Sequence, residues 1–178
     1  MRVAAGLDSM VLGESQILGQ LKDSFGSAQA QNVMGKELNR LSQNTYRIAK
    51  QIRTETEIGK NSVSVASTAV VMASQLFADL KTCNVLLVGA GETIALVGRH
   101  LKSSGVKKIV IANRTVKNAK LIADELEAEV IPLSELGKNL VNADILIAST
   151  GSQFPILGKG IVESAIKARR HKPIFMVD

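Results

Sequence analysis

Gly89, Ala90 and Gly91 stand between the apolar run Val85-Leu86-Leu87-Val88 and a stretch, residues 92–104, that reads as a helix. A buried strand that turns on glycine into a helix is the arrangement that cradles a pyrophosphate. Gly89 permits the tight turn and Gly91 lets the backbone approach the phosphates. The helix N-terminus adds unpaired N–H groups and a partial positive charge. A glycine pattern alone is a weak signal, and the strand–turn–helix context is what strengthens it over a plain βα turn. The third glycine of the pattern falls at position 94, which is Ile94. That glycine serves close helix–strand packing, so Ile94 predicts a slightly different helix seat and not a loop unable to hold phosphate.

The second strand, residues 108–112, runs into Asn113-Arg114-Thr115. Sites for NAD place a carboxylate here, on the ribose hydroxyls. This chain has none, and offers a guanidinium that can stack on adenine and pair with a 2′-phosphate. Asn113 and Thr115 add a donor and a hydroxyl. The expected cofactor is NADPH; the competing reading is a solvated loop with an incidental arginine. Ser149-Thr150-Gly151 follows the fourth strand and is a candidate for the nicotinamide side, or equally a capped turn.

These residues need a scaffold, and the second half of the chain supplies one. Residues from about 84 to 178 alternate: strands at 85–88, 108–112, 129–131, 144–148 and 173–177, helices at 92–104, 116–126, 134–141 and 161–170. Ser134 is a cap candidate for the third of these helices. Such alternation implies right-handed βαβ units in a parallel sheet, a Rossmann-like α/β domain. The first third reads as helical. Ile17, Leu21, Phe25 and Ala28 share one face, and Leu38, Leu41, Thr45, Ile48 and Ile52 share another, with a break at 32–35. Lys36, Arg40, Arg47, Lys50 and Arg53 surround the second stripe. A loop over 56–61, Ser62 as N-cap, and a third helix to about Asp79 with Val65, Ala69, Met72 and Leu76 on one face complete this region. A boundary near Gly59 gives two domains, residues 1–58 and 59–178. Ile174-Phe175-Met176-Val177 reads as a buried strand one residue from the last, so the sequence is expected to be a piece of a longer protein.

Residues 6–20, Gly-Leu-Asp-Ser-Met-Val-Leu-Gly-Glu-Ser-Gln-Ile-Leu-Gly-Gln, place polar groups in an apolar stretch. Gln16 and Gln20 lie four apart on one helix face, with Glu14 and Ser15 in its first turn. Read alone, this is as well a cap followed by an amphipathic helix. The segment resembles the signature of the glutamyl-tRNA reductase family. The resemblance continues through residues 53–59, Ser62-Val63-Ser64-Val65-Ala66, Gly89-Ala90-Gly91-Glu92, Ala112-Asn113-Arg114-Thr115 and Phe175-Met176-Val177-Asp178, covering essentially the whole chain in order.

The resemblance implies reduction of the glutamyl ester on tRNA(Glu) to glutamate-1-semialdehyde by NADPH. This is the first committed step of five-carbon tetrapyrrole synthesis; the chain's single cysteine, which cannot make an intramolecular disulfide, fits a reducing cytoplasm. A cysteine thiolate would form a thioester that hydride then releases as the aldehyde. In the family that cysteine and an assisting histidine lie upstream of the signature, so both are expected before Met1, and this piece alone is expected to be inactive. A homodimer through a further C-terminal helical domain is implied, with glutamate-1-semialdehyde aminomutase as a channelling partner. Residues 1–58 would be the helical remainder of the catalytic domain, and residues 59–178 the NADP(H) domain. The residues carried over are Ser9, Glu14, Ser15, Gln16 and Gln20 at the substrate, with backbone contact at most for Ser15. At the cofactor they are Gly89, Ala90, Gly91, Glu92, Thr93 and Ile94. A shikimate-dehydrogenase-like NADP reductase and a dinucleotide-sensing module without chemistry are the alternatives.

Cys83 is the one thiol among 178 residues, and it reads as structural, just before the first strand. His100 sits at the back of the helix after the glycine loop, in a surface or core-edge role. His171 falls at a helix end after Arg169 and Arg170. No spacing of His, Cys and carboxylates suits a metal, and no apolar run is long enough for a transmembrane helix. The net charge of +6 permits a nucleic-acid partner without requiring one. Lys102, Lys107 and Lys108, and Lys167, Arg169, Arg170 and Lys172, read as solvated helix ends before tRNA contacts.

Overall fold

The computed structural model describes residues 1–9, 11–59 and 65–178. The chain forms two compact units, Met1–Thr68 and Ala69–Asp178. Helix α1 (Gln16–Ala30) and helix α2 (Lys36–Glu55) make up most of the first. Asn32 adopts φ +55° after α1 and breaks the helix within the expected 32–35 turn. The Asn39 side chain then donates to the Met34 and Gly35 carbonyls at the start of α2.

The face that α2 buries is not the one its leucines suggest. Leu38 and Leu41 are about half exposed, and the buried residues are Ser42, Thr45 and Ala49. The reason is steric. A 3-10 turn at Val3–Ala5 lies against α2, and small side chains let Ala4 and Ala5 approach closely. Leu18, Leu21, Tyr46 and Ile52 fill around them, with the Phe25 and Tyr46 rings edge-on at 6.2 Å. Helix α1 also begins later than its sequence suggests, at Gln16, so Glu14 and Ser15 precede the first turn. A 3-10 turn at Glu57–Gly59 follows α2. Ser62, the expected cap, lies outside the described residues. Helix α3 (Val65–Leu76) ends three residues before Asp79, and it buries Ala66, Ala69, Val70 and Ala73 while Met72 and Leu76 are exposed.

The second unit is a five-stranded parallel sheet in the order β3-β2-β1-β4-β5. Its strands are β1 (Asn84–Val88), β2 (Lys108–Asn113), β3 (Glu129–Pro132), β4 (Ile145–Ala148) and β5 (Phe175–Val177). The helices between them are α4 (Glu92–Ser103), α5 (Val116–Leu126), α6 (Leu136–Leu140) and α7 (Lys159–Ala168). The sheet is the expected Rossmann-like one. Strands covered on both faces read as continuous apolar runs, and β1 does so with Val85, Leu86, Leu87 and Val88 all at 1% exposure or less. Leu86, Val88, Val110, Ala112 and Leu146 pack with Leu136, Leu140 and Ala165 from α6 and α7. The alternate residues face the opposite side, where α4 and α5 bring Ile94, Val97, Leu101, Ala119, Ala123 and Leu126.

Three local expectations give way. A 3-10 turn at Leu133–Glu135 leads into α6, and no side chain caps either element, Ser134 included. Helix α7 lies two residues earlier than its pattern, because Gly158 begins it. Strand β5 is the sheet edge and only half-buried, with Met176 exposed.

Val88 pairs with Ala112 on one side and Ala148 on the other, so β1, β2 and β4 end level. The Gly89 N–H donates to the Ala112 carbonyl and the Ser149 N–H to the Val88 carbonyl, which carries the ladder one step further. The loops after these strands therefore converge at the carboxyl edge of the sheet, where such folds bind ligands.

Candidate functional site

A cleft of about 340 Å³ opens where those loops meet. Gly89, Ala90 and Gly91 form one wall, Asn113 and Arg114 a second, and the Ser149–Ser152 backbone with Ile156 a third, while Leu133 gives an apolar patch. Gly89 has φ +116°, and a Cβ there would collide with the Ser149 carbonyl oxygen. Only glycine fits this turn without strain. Gly91 behaves oppositely. It has ordinary extended backbone at the N-cap of α4, and a Cβ built on it would meet nothing within 4 Å. That open space adjoins the first turn of α4, whose N–H groups and dipole favour an anion. Open backbone on the wall of a cleft, at the head of a helix, leaves room for a pyrophosphate, so the residues present fit a dinucleotide.

Ile94 is fully buried, and its side chain packs beneath Gly89. Its role toward a ligand is confined to its backbone. A different close approach falls at Gly98, where a Cβ would run into the Leu126 side chain of α5, a contact between helices and not between helix and strand. Glu92, Thr93 and Thr115 do not line the cleft. The Asn113 amide donates to the Thr115 carbonyl at 2.9 Å, which fixes the turn that carries Arg114. Arg114 is exposed on the rim, and no carboxylate is among the described residues lining the cleft. Thr150 and Gly151 belong to the same cleft. Leu133, Ser152 and Ile156 escaped the sequence reading, although their positions in loops after β3 and β4 at the sheet's carboxyl edge were a usable signal.

In the first unit the chain ahead of α1 turns back on itself between Gly6 and Gly13. Gly6 at φ +78° and Gly13 at φ +87° pinch it shut, and the Gly13 N–H donates to the Gly6 carbonyl at 2.9 Å. Within it the Ser9 hydroxyl donates to a Glu14 carboxylate oxygen at 3.1 Å. A guanidinium N–H of Arg53, from the far end of α2, donates to the Gly13 carbonyl at 3.0 Å. Arg53 is a residue whose part in the site the sequence did not announce. Gln16 opens α1 and Gln20 lies one turn on, exposed, while Ser15 is exposed and makes no capping bond.

Cys83 is 2% exposed, ahead of β1 and at the opposite end of that strand from the glycine loop. Burial, reinforced by the Asp144 carboxylate, pushes its thiol above the ordinary value. A raised thiol is a poor nucleophile, which supports its structural role.

Residues 71–178 match the family model for shikimate/quinate 5-dehydrogenase, and residues 1–56 match that for the N-terminal domain of glutamyl-tRNA(Glu) reductase. Glutamyl-tRNA reductases of Pseudomonas savastanoi pv. phaseolicola and Pseudomonas fluorescens are 58% and 57% identical over all 178 residues. The chain spans 42% of the length of each of these curated relatives. The solved glutamyl-tRNA reductase of Methanopyrus kandleri aligns with 99% of this chain and 45% of its own, at 32% identity and a TM-score of 0.62. The dipicolinate synthase A chain of Bacillus subtilis shares the fold alone, over 56% of this chain and 32% of its own, at 19% identity and a TM-score of 0.50. With both units matched in order, the chain belongs to the glutamyl-tRNA reductase family, and its second unit is the dinucleotide-binding domain of shikimate/quinate dehydrogenase type.

Proposed function

We propose that the cleft holds NADPH and that the full protein uses it to reduce glutamyl-tRNA(Glu) to glutamate-1-semialdehyde, opening five-carbon tetrapyrrole synthesis in the cytoplasm. The observation that carries the reading is the open backbone at Gly91 beside Arg114, in a cleft with no carboxylate among the described residues that line it. Bound NADPH supplies the hydride. The backbone from Gly89 to Ile94 holds the pyrophosphate, and Arg114, steadied by Asn113 and Thr115, pairs with the 2′-phosphate. Glu92 and Thr93 contribute first-turn N–H groups.

Residues 1–58 act as part of the substrate domain and residues 59–178 as the cofactor domain. Glu14, oriented by Ser9, complements the ammonium of the glutamyl group, while Gln16 and Gln20 donate to its carboxylate and Ser15 contributes backbone at most. Cys83 is buried and raised, so the thioester-forming cysteine and its histidine belong to another part of the full protein. A homodimer through a separate helical domain, and transfer of the aldehyde to glutamate-1-semialdehyde aminomutase, complete the reading.

Aldehyde trapping from charged tRNA(Glu) and NADPH by the full-length protein tests it. Trapped glutamate-1-semialdehyde supports the reading. Oxidation of shikimate with NADP would support the shikimate-dehydrogenase-like alternative, and cofactor binding without either reaction would support a sensing module. The match of residues 1–56 to the reductase N-terminal domain disfavours both.

A further inference from the structure

Helix α2 carries Lys36, Arg40, Arg47 and Lys50, all exposed. At about 100° per residue, these four cations fall within about 80° of one another around the axis. They run over about 21 Å at about 1.5 Å per residue. Gln43 and Thr54 lie in the same line, and the acidic residues of the helix, Glu37 and Glu55, lie off it. The stripe is roughly opposite the buried residues Ser42, Thr45 and Ala49. The exposed Leu38 and Leu41 stand on the buried side of the helix, away from the cations.

The contrast with the second unit is chemical. There Arg99 pairs with Glu125, Lys102 with Glu127, Lys108 with Glu129, and Arg169 and Lys172 with Asp144. Among the described residues, none of the four α2 cations has an ion-pair partner. Like charges at i,i+3 and i,i+4, as in Lys36–Arg40 and Arg47–Lys50, work against a helix. A line of cations kept without carboxylates suits a line of anions. No aromatic side chain stands on the stripe to stack a base, and no apolar one to enter a lipid surface.

We infer that this face of α2 docks the phosphodiester backbone of an RNA, without reading its bases. The inference rests on the proposed function for the identity of that RNA, the tRNA whose glutamyl end the enzyme reduces.

The test uses the full-length protein, with Lys36, Arg40, Arg47 and Lys50 all replaced by Gln, which keeps helix propensity. The probes are deacylated tRNA(Glu) over a range of KCl concentrations and vesicles containing phosphatidylserine. The expected result is a rise in Kd for tRNA of at least about tenfold near 0.1 M salt. The slope of log K against log salt falls by about 3, at about 0.7–0.9 per phosphate contact. The change in turnover falls on KM for glutamyl-tRNA rather than on kcat, and Lys102→Gln with Lys108→Gln leaves the Kd where it was. An unchanged tRNA Kd and salt slope overturn the inference. So does a loss confined to vesicle binding, which would make the stripe a membrane contact. A wild-type protein that yields no aldehyde while the variant still loses tRNA affinity would remove the proposed function and leave the RNA surface standing.

Discussion

Arg53 donates a hydrogen bond to the carbonyl oxygen of Gly13 at 3.0 Å, joining the end of α2 to the loop that holds Ser9 and Glu14, 40 residues away. Ile58 packs on the same glycine. Two positive-φ glycines give the loop its shape, and this pair of contacts fixes where it stands. Arg53→Met leaves the Gly13 carbonyl without its donor at a half-open site, at a cost of about 1 kcal/mol in urea unfolding. In the full-length enzyme KM for glutamyl-tRNA rises severalfold while KM for NADPH stays put, and Arg53→Lys recovers part of the loss. Equal changes in both KM values would mean that Arg53 serves the fold and not the loop.

Gly89 and Gly91 separate folding from binding. Gly89→Ala meets both a positive φ and the Ser149 carbonyl, so thermal unfolding drops by at least about 2 kcal/mol in equivalent stability. Gly91→Ala adds a methyl to open space and keeps its melting temperature. Its cofactor Kd nonetheless rises tenfold or more, because the methyl occupies the phosphate cradle. Intact NADPH affinity in Gly91→Ala would contradict the placement of the pyrophosphate.

The glycine loop, the carboxyl edge of a parallel sheet and Arg114 were legible in the sequence because each rests on local chemistry. An apolar run, a turn residue and a missing carboxylate can all be read in place. What was not legible depends on partners far along the chain. Leu38 and Leu41 carry the hydrophobic signal of α2, but the small residues Ser42, Thr45 and Ala49 face inward because the Val3–Ala5 turn comes so close. The need for glycine at Gly98 makes sense only once Leu126 is opposite it. Arg53 looked like one more charge on an amphipathic helix until its partner 40 residues away was visible.

Asp144 predicts an acid-dependent stability. Burial by itself would raise its carboxyl, but hydrogen bonds from Lys172, the Asn84 backbone and Arg169 outweigh it and hold the group below its ordinary value. A depressed folded-state value means stability that is full above the unfolded value, near pH 4, and is lost as pH falls toward the folded value. Asp144→Asn leaves the Arg169 guanidinium, 4% exposed, without its counter-charge, which costs on the order of 3 kcal/mol at pH 7. Urea titrations between pH 7 and pH 2 then show the gap between wild type and variant closing in acid. A constant gap across that range would show that the ion pair is not its source.

Cofactor choice is the most direct test of the central claim, that this cleft is an NADPH site serving the reductase. The measurement is steady-state reduction of glutamyl-tRNA by the full-length protein with NADPH and with NADH, for wild type and Arg114→Ala. The account predicts a wild-type preference for NADPH of about tenfold or more, the size of one charge-assisted phosphate contact of about 1.5–3 kcal/mol. It predicts that Arg114→Ala loses that preference through weaker use of NADPH, with NADH kinetics little changed. Equal use of both cofactors by the wild type, or an undiminished preference in Arg114→Ala, would contradict it.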